Sequence, residues 1–228
     1  MKQRVISLRT LREKQFKILA FDGQWKEWLG QPESNFKAVF WGKSGSGKST
    51  LVLRLCDYLA KFGKVGYNSW EEGIAKTFQD RVESNKIQNL DKIFLLEKYS
   101  FEEMMSDDFK RKSYKVVVID SSNYMNLTYE QFKQLINRYP SKIFIIISQM
   151  NGKGKIKGGT DILHAADIKV FCYEGTAKVE SRFAEEKRIT IFERRKKAGE
   201  QLSLDINPQA LERGVNTMLN GVMKEVLG

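Results

Sequence analysis

One histidine and two cysteines in 228 residues leave little for metal or redox chemistry. His164 alone excludes a multi-histidine site. Cys56 and Cys172 build neither a disulfide framework nor a cysteine-rich zinc centre. A Ser-His-Asp hydrolase is disfavoured, because no nucleophile elbow accompanies that histidine. Only 3 prolines and a 41% hydrophobic content argue against a disordered or collagen-like chain. Long apolar runs are also missing. Val116–Ile119 and Ile143–Ile147 fall far short of the ~20 residues that span a bilayer. The first 17 residues are basic, interrupted by charge and without an apolar centre, so no secretory signal is expected. The expectation is a cytoplasmic protein in a reducing compartment with no membrane contact.

Charge of one sign is abundant. Lys and Arg number 39 against 28 Asp and Glu, a formal net charge of +11. Such an excess points to an anionic partner, most often nucleic acid, though ribosome-like stickiness or a membrane surface fits the charge too. The length suits one domain with small appendages.

Short apolar runs alternate with segments of helical period, the pattern of an α/β fold with a mostly parallel sheet. Strands are expected at Phe36–Trp41, Lys64–Asn68, Ile93–Leu96, Lys115–Asp120 and Lys142–Ser148. Three late strands, Ile168–Tyr173, Lys178–Arg182 and Arg188–Arg194, read as antiparallel. Helices are expected over Thr50–Phe62 and from Ser69 to about Glu83. A short helix follows the capping box of Ser100 and Glu103, and another runs from Thr128 to about Arg138 behind the box of Thr128 and Gln131. Asn207-Pro208 opens a last amphipathic helix. The expected organisation is a basic N-terminal extension at 1–35, a core at 36–206 and a C-terminal amphipathic helix at 207–228.

The sharpest motif is Gly42-Lys43-Ser44-Gly45-Ser46-Gly47-Lys48-Ser49, which fits G-x-x-x-x-G-K-[ST] between a strand and a helix. Glycines let backbone N–H groups converge on phosphates, and the helix N-terminus adds a favourable field. Lys48 is expected at the β- and γ-phosphates and Ser49 on Mg²⁺, with Thr50 completing the nucleotide contacts. Asp120, ending an apolar strand, is the expected carboxylate on the Mg²⁺ side. One of the two intervening strands, Lys64–Asn68 or Ile93–Leu96, is expected between the two motif strands. Glu71 is the expected base for water attack. Glu72 is the reserve, since with Ser69 it also spells a capping box.

These residues resemble the RecA-like ATPase superfamily, which includes recombinases, the RadA (Sms) and KaiC group and the replicative-helicase motor. The resemblance covers roughly residues 36–204. It implies a RecA-like P-loop core with helices on both faces of a mostly parallel sheet, late antiparallel strands and a C-terminal helix. It further implies that Tyr67-Asn68-Ser69-Trp70-Glu71-Glu72 is the strand end carrying the catalytic glutamate. Gln149, after Ser148, would then sense the γ-phosphate. The loop Asn151–Thr160, with Lys153, Lys155 and Lys157, takes the place of a DNA-contacting loop. Three lysines suit phosphates, and the lack of an aromatic predicts backbone-led, sequence-tolerant binding, with single-stranded DNA as the expected form. The basic run at 193–200 takes the place of a finger reaching a neighbouring subunit's ATP, with Arg195 and Lys196 as candidates in a ring or filament. His164 is given no role. The zinc-binding and protease-like appendages of the RadA group have no counterpart here. The type suggested is a minimal phage or mobile-element recombination ATPase.

The resulting expectation is an ATPase using ATP and Mg²⁺ that binds DNA in recombination, annealing or repair. A KaiC-like or loader-like ATP switch acting on a protein partner fits the same core motifs. A P-loop nucleotide kinase fits less well, because no arginine-rich lid lies between the phosphate loop and Asp120.

Overall fold

The computed structural model describes residues 5–151, 156 and 160–193. The expected C-terminal helix at 207–228, the candidate finger residues Arg195 and Lys196, and loop residues Lys153, Lys155 and Lys157 lie outside them. Among the described residues, α-helices and β-strands follow in chain order. They begin with α1 (Leu8–Glu13), α2 (Gly23–Leu29), β1 (Lys37–Gly42), α3 (Lys48–Leu59), β2 (Val65–Ser69) and α4 (Lys76–Ser84). Next come β3 (Ile93–Glu97), α5 (Phe101–Met105), α6 (Asp107–Arg111), β4 (Val116–Asp120), α7 (Tyr129–Arg138) and β5 (Ile143–Gln149). The last are α8 (Asp161–His164), β6 (Ile168–Tyr173), β7 (Thr176–Ser181) and β8 (Ala184–Thr190).

One eight-stranded sheet runs in the order β3-β2-β4-β5-β1-β6-β7-β8. Six strands, from β3 to β6, are parallel, and β7 and β8 turn back antiparallel. The central strands are apolar on both faces because both faces are covered. Val116 and Val118 of β4 join one core with Leu51, Leu55 and Phe78 from α3 and α4. Val117 and Ile119 join the opposite core with Met104, Phe109, Phe132 and Ile162 from α5 to α8. The segment before β1 supplies Leu19, Phe21, Trp25 and Leu29 to the first of these cores.

Local signals hold where the side chains meet their partners. The Ser100–Glu103 and Thr128–Gln131 capping boxes both close at the starts of α5 and α7. Other expectations give way. The strand between β1 and β4 is β5, rather than β2 or β3. Sequence order cannot fix lateral order in a parallel sheet, because each crossover helix can carry the chain over several strand widths. Ser69 does not open a helix. It still pairs with Glu97 and Asp120 at the end of β2, and helical structure resumes only at Lys76. Among the late strands, β6 is parallel to β1, and the other two begin earlier than expected, at Thr176 and Ala184.

Candidate functional site

The phosphate loop leaves β1 at its C-terminal end and enters α3 at Lys48. Two glycines have steric reasons to be there. Gly42 adopts φ 153°, and an added Cβ would fall 2.0 Å from the Cys172 carbonyl oxygen on neighbouring β6. Gly47 adopts φ 99°, and its Cβ would fall 2.8 Å from the Phe192 ring and 3.0 Å from Ile191. Both backbones therefore exclude ordinary side chains. The stretch after β8 closes over this turn, with the Arg54 guanidinium of α3 donating to the Ile191 carbonyl at 2.7 Å.

Lys48 is 6% exposed, and its ammonium donates to the Lys43 carbonyl at 2.7 Å. Burial pushes its pKa below the usual lysine value, while Cys172, Glu71 and Asp120 oppose that shift. Burial also drives the Cys172 thiol up to about 12, so it is an inert core group rather than a nucleophile.

Asp120 ends β4 and is 4% exposed. Tyr67 of β2 donates to its Oδ2 at 2.6 Å, while Oδ1 has no hydrogen-bond partner. Burial raises the carboxyl pKa, against the pull of Tyr67, nearby Ser49 and Arg81. The Asp120–Ser121 peptide bond is cis.

Glu71 is held next to this carboxylate through the main chain. The Asp120 carbonyl accepts from the backbone N–H of Trp70 at 2.6 Å and of Glu71 at 3.2 Å. The exposed Glu71 side chain meets Gln149 at the end of β5, with Nε2 to Oε1 at 3.3 Å. Glu72 is occupied elsewhere. Arg81 of α4 grips both its oxygens at 2.6 and 2.7 Å, so the box with Ser69 does not form. Ser69 Oγ instead accepts from the Gly73 N–H at 3.0 Å.

Gln149 is itself clasped. Asn123 Oδ1, in the loop after β4, accepts the Gln149 backbone N–H at 2.6 Å and the Ser148 hydroxyl at 3.1 Å. Beside this clasp lies a cavity of about 680 Å³ lined by Asn123, Tyr124, Tyr129, Gln149 and Asp161 among others. In the lysine loop, Ile156 is buried and bridges Met150. His164 ends α8.

The residues present fit a magnesium nucleotide. Ser46 Oγ in the phosphate loop and Asp120 Oδ1 are buried acceptors without partners. Open space surrounds Gly45. No cluster of three or more histidine, cysteine or acidic ligands occurs among the described residues. Mg²⁺ needs only one or two protein ligands and completes its shell with phosphate and water, so Ser49 and Asp120 would suffice.

The structure thus gathers Lys48, Ser49, Asp120, Glu71 and Gln149 at the C-terminal ends of β1, β4, β2 and β5. Sequence reading missed Tyr67, Arg81 and Asn123. A tyrosine two residues before the end of β2 and an asparagine three residues after Asp120 were weak signals. Nothing in the spacing of Glu72 and Arg81 suggested their pairing.

No family model matches the chain. It is 30% identical over 179 residues to the DNA repair protein RadA of Campylobacter jejuni, covering 67% of this chain and 38% of that protein. The chain therefore spans well under half of that relative's length. Its fold is similar to that of a solved ATPase domain, with a TM-score of 0.51 and 14% identity over 69% of this chain and 81% of that one. Phosphate loop, strand order and these likenesses agree, and the chain belongs to the RecA-like P-loop ATPase superfamily.

Proposed function

We propose that this protein binds ATP with Mg²⁺ and hydrolyses it, and that turnover is coupled to DNA in recombination, annealing or repair. The observation that carries the enzymatic part is the grouping of Lys48, Asp120 and Glu71 at one end of the sheet. Lys48 is buried at the start of α3, Asp120 Oδ1 is a buried acceptor without a partner, and the Asp120 carbonyl accepts from the Glu71 N–H at 3.2 Å. Lys48 and the loop N–H groups hold the phosphates. Ser49 and Asp120 would hold the metal, which would supply positive charge to offset that of the phosphates. Glu71 accepts a proton as water oxygen bonds to the γ-phosphorus. The bond from that phosphorus to the bridging oxygen breaks, giving ADP and inorganic phosphate. Glu72 serves less well, since Arg81 already takes both its oxygens.

The DNA part is supported by the net charge of +11, by Lys153, Lys155 and Lys157 in the loop after β5, and by the repair function in the name of the RadA relative. Gln149 is suited to link the two, since it touches Glu71 and leads into that loop. Single-stranded DNA is the proposed form, bound with little sequence preference. Arg195 and Lys196 are proposed to reach a neighbouring protomer's nucleotide in a ring or filament. The test is phosphate release from ATP by the wild type and by Lys48→Ala. Magnesium-dependent release that vanishes in the variant, together with ATP binding, is expected. Undiminished turnover in Lys48→Ala would place the reaction elsewhere.

A further inference from the structure

Four lysines stand in one transverse row at the end of the sheet opposite the phosphate loop. Ile93, Val65, Val116 and Ile143 open adjacent strands β3, β2, β4 and β5, and pair with one another in register. The residue immediately before each is a lysine: Lys92, Lys64, Lys115 and Lys142. The row continues the ladder, since Lys115 N–H donates to the Lys64 carbonyl at 2.8 Å and Ile143 N–H to the Lys115 carbonyl at 2.9 Å. Strands ~4.8 Å apart place the four residues within roughly 14 Å.

Like charges on neighbouring strands repel. Burial lowers the pKa of both Lys142 and Lys115, with Lys115 adding to the first shift and Lys17 to the second. None of the four forms an ion pair among the described residues. Two ammonium groups are satisfied by main-chain oxygens. Lys142 donates to Tyr114, and Lys115 to Ser34 and Ser141. Lys64 and Lys92 are exposed. The Lys64 ammonium lies 5.6 Å from the centre of the Phe94 ring, which is 38% exposed on edge strand β3. The rim therefore offers uncompensated positive charge with an accessible aromatic beside it. Phosphates with adjoining bases match that pairing, because the ammonium can hold a phosphate while the neighbouring ring stacks on a base.

We propose that this lysine row is a second nucleic-acid surface, which holds the phosphate backbone through Lys64 and Lys92 with Phe94 as a stacking platform. It rests on nucleic acid being the partner, but not on ATP hydrolysis. It would let one protomer touch nucleic acid at both ends of its sheet.

The test is the affinity of the full chain for a labelled oligo-dT across a salt series. The double variant Lys64→Ser/Lys92→Ser changes exposed side chains and should fold as the wild type does. Removing two phosphate contacts from a single strand should flatten the slope of log affinity against log salt by about 1.4. The pair Lys76→Ser/Lys133→Ser, elsewhere on the surface, should leave that slope unchanged, and basal ATP turnover should survive both changes. An unaltered slope in the first pair, with DNA bound by the wild type, overturns the second surface alone. An equal loss in the control pair also overturns it. A wild type that ignores the oligonucleotide at low salt overturns this surface and the DNA reading together, whatever its ATP turnover. Loss of binding to anionic vesicles, with oligonucleotide binding intact, would assign the row to a membrane and overturn it too.

Discussion

Gln149 Nε2 reaches Glu71 Oε1 at 3.3 Å, joining the ends of β5 and β2 across the intervening β4. The contact aims a neutral amide at the carboxylate proposed to activate water. In the proposed reaction, a change at the γ-phosphate would pass through this contact to β5.

Glu71→Gln keeps the shape of the side chain and removes its basicity. ATP affinity should be retained while hydrolysis slows about tenfold or more, the lower end of what a positioned base contributes. Single-turnover phosphate release, compared with equilibrium nucleotide binding, separates the two effects. Unchanged turnover would transfer the role to Glu72. That outcome would require the Arg81 pair to open.

Asp120, the proposed metal ligand, carries a cost in the protein without a cation. Its carboxyl pKa is raised, mainly by burial. The folded state then holds the proton more tightly than the unfolded chain does. Stability is accordingly lost as pH rises from the unfolded pKa through the folded one. Asp120→Asn removes that cost and leaves an acceptor for the Tyr67 hydroxyl. Without nucleotide, the variant should melt about 2–4 °C higher at neutral pH, the shift that ~1 kcal/mol produces in a domain of this size. The extra stabilisation by magnesium and ATP should disappear. A variant that melts lower without ligand would contradict this account of the carboxylate.

Much of this site was readable because its signals are local. The phosphate loop depends on consecutive residues, and an apolar run ending in Asp120 marks a buried strand end. The capping boxes of α5 and α7 span four residues each. Ser69 and Glu72 spell the same box, yet long-range forces override it. Pairing with Glu97 and Asp120 holds Ser69 in β2, and Arg81 takes Glu72. The place of β5 between β1 and β4 was illegible for a related reason. Lateral strand order depends on which faces each crossover helix covers, and no short pattern encodes that. Tyr67 and Asn123 act through partners 53 and 26 residues away, so only the folded chain identifies them.

Asn123 is positioned to set the Gln149 backbone. Its Oδ1 accepts from both Gln149 N–H and the Ser148 hydroxyl, so one acceptor atom holds the strand end. Asn123→Ala should leave ATP binding and basal turnover near the wild-type values and lower the DNA-stimulated rate several-fold, since it frees Gln149 without touching the phosphate loop. Asn123→Asp restores the acceptor and should recover most of that loss. Parallel kcat and KM measurements on the two variants, with and without single-stranded DNA, check this. Equal losses in both would mean that the loop needs asparagine for another reason.

The most direct test of the coupling between the nucleotide site and DNA is the steady-state ATPase rate of the full chain with and without single-stranded DNA, at low and moderate salt. The account predicts that DNA raises the rate, that the increase shrinks with salt, and that Gln149→Ala abolishes it while basal turnover persists. A rate indifferent to DNA at both salt concentrations would contradict it and favour an ATP switch that acts on a protein partner.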